Sequence, residues 1–101
     1  MLVYNITTNV QPAIHAAWLS WFKEKHIPEI MATGLFERYS LMKILDTDDA
    51  EGHTYALQLF SINRENYEAY LRHHAPQLRE NTFKTWGDAV ISFRTTMEVI
   101  N

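Results

Sequence analysis

The chain has 101 residues, 47% of them hydrophobic and 13% aromatic, and a formal net charge of −3. That is ample apolar material for one small folded domain, and the acidic balance weighs against nucleic acid or anionic lipid as a partner. There is no cysteine, which excludes disulfides, thiolate metal sites and cysteine nucleophiles.

Met1-Leu2-Val3-Tyr4-Asn5-Ile6 carries no basic leader, and no apolar run approaches bilayer length, so a soluble cytoplasmic protein is expected. Leu2 to Thr8 is short, apolar and β-branched and reads as a strand, with Leu2, Tyr4 and Ile6 on one face. Pro12 suits a first helical turn, where a missing N–H costs nothing. The first helix then extends from about Pro12 to Ala32. Ile14, Trp18, Phe22, His26 and Ile30 recur every four residues and form its apolar ridge, which Ala17, Trp21 and Met31 widen. Pro28 cannot donate to the carbonyl of Glu24, so a kink or break is expected near His26. Gly34 stands where a left-handed helix terminator belongs.

Leu35 to Leu45 reads as a second strand, apolar on both faces, and Asp46 to Gly52 as an acidic hairpin loop. His53 to Ser61 is a third strand, with Tyr55, Leu57 and Leu59 on one face and Thr54, Ala56, Gln58 and Phe60 on the other. Asn63 can cap a second helix, whose ridge is Tyr67, Tyr70, Leu71, His74 and Leu78. Pro76 interrupts that helix, and Phe83 and Trp86 continue its apolar surface to Gly87. Val90 to Ile100 is the last strand, with Ile91, Phe93, Met97 and Val99 on one face and Ser92, Arg94, Thr96 and Glu98 on the other.

The order strand-helix-strand, strand-helix-strand predicts an α+β, ferredoxin-like βαββαβ domain over residues 1–101. Both helices would cover one face of a four-stranded antiparallel sheet. The halves echo each other, with His26-Ile27-Pro28 in the first helix and His74-Ala75-Pro76 in the second. The second sheet face would combine Phe60, Ala56 and Val3 with Asn5, Gln58, Arg94 and Glu98. That mixture suits neither solvent nor a dry core, so a homodimer through apposed sheets is expected.

His26 is the first candidate for chemistry. An imidazole exchanges protons near neutral pH, and a helix break beside it would leave room for a ligand. The bland alternative is a partly buried histidine bonded to a carbonyl freed by Pro28. Tyr55 is the best hydroxyl donor. Trp18, Phe22, Tyr67 and His74 are candidate ligand-binding residues, against the reading that all are core. No His-x-x-x-His or His-Glu-x-x-His spacing supports a metal site, and no cofactor is expected. Asp46 and Asp48 fit the first positions of a calcium loop, but Ala50 and Glu51 break the pattern. The three glycines are isolated, so no phosphate-cradling loop exists. RNA-recognition domains share this element order and place a basic residue and aromatics on the third strand. Here Glu51 and Gln58 occupy those positions, which disfavours RNA.

Trp18-Leu19-Ser20-Trp21, His26-Ile27-Pro28-Glu29 and Ala32-Thr33-Gly34 are the most specific stretches. With Met1 to Asn5, Gly52 to Tyr55, Ala75 to Arg79 and Phe93 to Thr95, they make the whole chain resemble a family of short bacterial proteins of unknown function. More distantly it is similar to the dimeric α/β-barrel superfamily. That resemblance implies paired ferredoxin-like subunits and, in many members, a small ligand between helices and sheet, but no single activity. Asn5, a tryptophan and His74 loosely resemble a set in haem-degrading members. The third strand lacks a tryptophan, so that activity is not carried over. The expected function is a dimeric binder of a small apolar or aromatic molecule, which can be a cofactor-free enzyme. The alternatives are a non-enzymatic dimerisation or regulatory module and, more remotely, a single-stranded nucleic-acid binder.

Overall fold

A computed structural model describes all 101 residues, Met1–Asn101. Strand β1 (Leu2–Val10) leads through a 3-10 turn at Pro12–Ile14 into α1 (His15–Trp21), a π-helical turn (Phe22–His26) and α2 (Ile27–Ala32). Strands β2 (Arg38–Lys43) and β3 (His53–Ser61) follow, then α3 (Arg64–His73), α4 (Ala75–Trp86) and β4 (Val90–Glu98). The four strands form one sheet in the order β2-β3-β1-β4, and every neighbouring pair is antiparallel. This is the ferredoxin-like arrangement expected from the sequence.

The first helical segment shows how a proline is tolerated inside an amphipathic run. The kink or break expected near His26 takes the form of a widened turn that ends at His26, and the helix is not interrupted. The N–H of Ile27 instead reaches back five residues to the carbonyl of Phe22, and the helix widens over Phe22–His26 before resuming with Pro28 in the first turn of α2. A π turn relieves the clash that an α-helical proline makes with the carbonyl four residues earlier. The chain therefore stays helical, and His26 remains on the core side. Thr33 then closes the segment by donating its hydroxyl to the Ile30 carbonyl at 2.7 Å, and Gly34 takes φ 74°.

The ridge spaced by four residues is real in space. Trp18 and Ile30 are fully buried, and Phe22 and His26 nearly so. Trp18 stacks on Phe22 at 4.5 Å, and Phe22 on His26 at 5.3 Å. These side chains pack on the helix-facing residues of the sheet, Tyr4, Val10, Tyr55, Leu57 and Leu59. Burying each large side chain contributes about 1.5–3 kcal/mol. Ala17, expected on the stripe, is exposed instead, and Leu19 and Trp21 pack against the core.

The second helix is interrupted where the sequence indicates. His74 leaves helical geometry at φ −126°, and Pro76 sits in the first turn of α4. Asn63 caps α3, its side-chain oxygen accepting from the Asn66 N–H at 2.8 Å. Phe83, expected to continue the apolar surface, is 67% exposed. Strand β2 is shorter than the stretch Leu35 to Leu45, because pairing with β3 runs only from Arg38 to Lys43.

The largest difference concerns β4. Its pairing with β1 sets Arg94 opposite Ile6 and Glu98 opposite Leu2, on the helix side of the sheet. Arg94 and Glu98 are therefore not on the open face, where the sequence reading put them. Ile91, Phe93 and Met97 take that face, opposite Asn9, Thr7 and Val3. The register decides this, because a strand's period of two fixes which side chains share a face but not which face is inward.

Candidate functional site

A cavity lies between the first helical segment, α4 and the strands β1 and β4. Its volume is about 40 Å³, room for a few waters or a slender organic group. Trp18, Phe22, Tyr70 and Leu78 form apolar walls, His26 adds an imidazole, and Tyr4, Thr8 and Ser92 add hydroxyls. Arg79 from α4 and Arg94 from β4 also border it, and with Thr82 they continue into a more open vestibule of about 140 Å³.

Each polar group has a local cause. Thr8, on the buried face of β1, shares a hydrogen bond of 3.0 Å with Ser92 of the adjacent strand. Tyr4 lies edge-on to Tyr67 at 5.5 Å and to Tyr70 at 6.2 Å, and its hydroxyl accepts from Arg79 Nη2 at 2.8 Å. Burial, with the neighbouring Tyr4, pushes the Tyr70 hydroxyl up to about 12, so it stays protonated.

His26 is the most unusual member. It is 8% exposed, packed against Trp21 at 4.7 Å and Phe22 at 5.3 Å, and its Nδ1 has no hydrogen-bond partner. Burial alone pushes its pKa down to about 4, so the ring is neutral at physiological pH. A buried polar atom left unbonded costs about 1–3 kcal/mol unless something supplies the bond. The expectation that His26 bonds a carbonyl freed by Pro28 fails, because that nitrogen bonds nothing in the protein.

Of the residues singled out from sequence, the structure brings Trp18, Phe22 and His26 to this cavity. It does not bring Tyr55, Tyr67 or His74. Tyr67 shares a hydrogen bond of 2.7 Å with the Thr96 hydroxyl, and His74 stacks on Tyr70 at 6.2 Å without lining the cavity. Tyr55 bonds His15 Nε2 at 2.6 Å and borders a shallow outer groove with Leu19, Lys23 and Leu41. There His15 stacks on His53 at 3.7 Å, while Asp49 lies 3.4 Å from Lys43 and 3.6 Å from His53 Nδ1. The last distance is a loose ion-pair contact and too long for a hydrogen bond. Burial, then the nearby His53, holds the His15 pKa below its ordinary value. No cluster of three or more His, Asp or Glu side chains is arranged to hold a metal ion.

Sequence reasoning missed Arg79, Arg94, Tyr4 and Thr8 as cavity residues. Only the register of β4 against β1 could have found Arg94.

Comparison with known proteins adds a family and a fold. The profile of the family described as Domain of unknown function (DUF4286) matches residues 1–100. No curated protein matches the sequence. Among solved structures, the chain is similar to a dimeric ferredoxin-like protein from an uncultured marine organism, with a TM-score of 0.78 at 10% identity, covering 99% of this chain and 95% of that one. It is also similar to HapK from Hahella chejuensis, with a TM-score of 0.71 at 11% identity over 99% of this chain and 93% of that one. An EthD family protein from Bacillus halodurans gives a TM-score of 0.71 at 14% identity over 99% of this chain and all of that one. At such identities the likeness establishes the fold and no activity. No helix of the chain is long and apolar enough to cross a membrane.

Proposed function

The chain belongs to the DUF4286 family, and from the geometry of its cavity we propose that it is a homodimer that binds a small molecule between helices and sheet. One observation carries the ligand reading. The buried, neutral imidazole of His26 stands among Trp18 and Phe22 in the wall of a cavity that opens between α4 and β4. An apolar space with a few polar groups at its edge suits a small organic molecule. Trp18 and Phe22 are the apolar wall against which the ligand body rests. With a pKa near 4, His26 serves as a neutral hydrogen-bonding group rather than as an acid at neutral pH. Tyr55 belongs to the separate group around His15 and has no part in this reading.

The open sheet face supports the dimer. Ile91, Phe93 and Met97 are 55%, 68% and 39% exposed, and Met42 is 44% exposed on the same side. Val3 and Phe60 lie beside them, with the Arg38 guanidinium 3.6 Å above the Phe60 ring. Large apolar side chains exposed along one strand of an open sheet are covered when two sheets pack face to face.

The experiment is a screen of small neutral and charged fragments against ¹⁵N-labelled protein. Binding in the cavity shifts the amides of Thr8, His26 and Ser92. Shifts confined to the open sheet face, or none with any fragment, would refute the ligand reading.

A further inference from the structure

The cavity carries an uncompensated positive charge at its mouth. Arg79 projects from α4 and Arg94 from β4, and both border the cavity and its vestibule. Neither belongs to an ion pair; the side-chain pairs of the protein are Lys43–Asp49, His53–Asp49, Arg64–Glu68 and Lys84–Glu80. Both guanidiniums favour the ionised form of the Tyr70 hydroxyl, so their fields converge on one place. Two like charges bordering one opening repel each other, and an anion bound there relieves that repulsion. This local pattern runs against the overall charge of −3. The bland account is a pair of independently solvated surface arginines. Against it stand their convergence from separate elements and the hydroxyls of Tyr4, Thr8, Thr82 and Ser92 around the same space.

Resting on the reading of the cavity as a ligand site, we infer that the ligand is a short-chain carboxylate, its carboxylate held between Arg79 and Arg94 and its hydrocarbon body directed toward Trp18, Phe22 and Leu78. A planar guanidinium matches a carboxylate through paired hydrogen bonds. The aromatic inner wall calls for an organic body and gives inorganic phosphate nothing to bond. The narrow cavity, about 40 Å³, favours an alkyl chain over an aromatic ring, which narrows the ligand class expected from sequence. His26 is neutral, so the charge is confined to the mouth and sets the direction in which an acid enters.

The test is an amide chemical-shift titration with butyrate, its neutral analogue butyramide and inorganic phosphate. It uses the wild type and the variants Arg79→Gln and Arg94→Gln, each first checked for a folded spectrum. Butyrate should bind about tenfold more tightly than butyramide. Each variant should abolish the preference for butyrate over butyramide. Equal affinities for the two probes, or a preference that survives either variant, overturns the anion inference while leaving the cavity reading intact. Binding of phosphate without butyrate overturns the carboxylate class. Failure of both four-carbon probes while neutral fragments bind the cavity overturns this inference alone, and failure of every fragment overturns the ligand reading with it.

Discussion

Acid should destabilise this protein through His26 more than through any other histidine. The folded-state pKa is about 4 against an ordinary value of 6.5, and burial is its cause. Between these values the unfolded chain binds a proton that the folded one refuses. Stability is therefore fully present above pH 6.5, falls as pH drops toward 4, and has no further dependence on this group below that. From pH 7 to pH 4.5 the loss from His26 is about 2–3 kcal/mol, a large share of what a small domain possesses. Urea denaturation across this range, for wild type and His26→Phe, isolates the effect. Phenylalanine keeps a ring packed against Trp21 and Phe22, so its curve should lack the His26 slope. The His26 ring signals in a proton NMR titration should move with a midpoint near 4. Parallel stability curves for the two proteins, or a midpoint near 6.5, would refute the claim that the imidazole is buried and neutral.

Phe93→Glu places a charge at the centre of the open sheet face, where the side chain is 68% exposed in the single subunit. Light scattering should show a dimer for the wild type and a folded monomer for the variant, and an unchanged mass would remove the sheet face as the interface. Trp18→Ala empties a fully buried site between Phe22 and Tyr55, and chemical denaturation should register a loss of about 3–5 kcal/mol. Asn63→Ala removes the cap on the Asn66 N–H and should cost about 1 kcal/mol by the same measurement.

The fold was legible because its strands and helices announce themselves by period. Tyr55, Leu57 and Leu59 alternate, Trp18, Phe22 and His26 recur every four residues, and Asn63 and Gly34 mark helix ends. Two features were not legible, for physical reasons. The proline rule predicts a break at Pro28, but widening one helical turn is a cheaper answer, and only the tertiary fold decides between them. In β4, alternation grouped Arg94 with Ser92 and Glu98 correctly yet could not orient the group. The apolar set Ile91, Phe93 and Met97 lies outward, beside Asn9, Thr7 and Val3 of β1. That inversion hid the arginine pair and made the sheet face look more polar than it is. The shared His-x-Pro pattern of the two helices proved a weak guide to function, since His26 and His74 differ in backbone and only His26 reaches the cavity.

The central claim is that the space beside His26 receives a small molecule. The most direct measurement is a crystal structure of the protein purified from cells without added ligand. Electron density for an organic molecule bounded by Tyr4, His26 and Arg94 is the expected result. A cavity closed by side chains, or one holding only water, would contradict it.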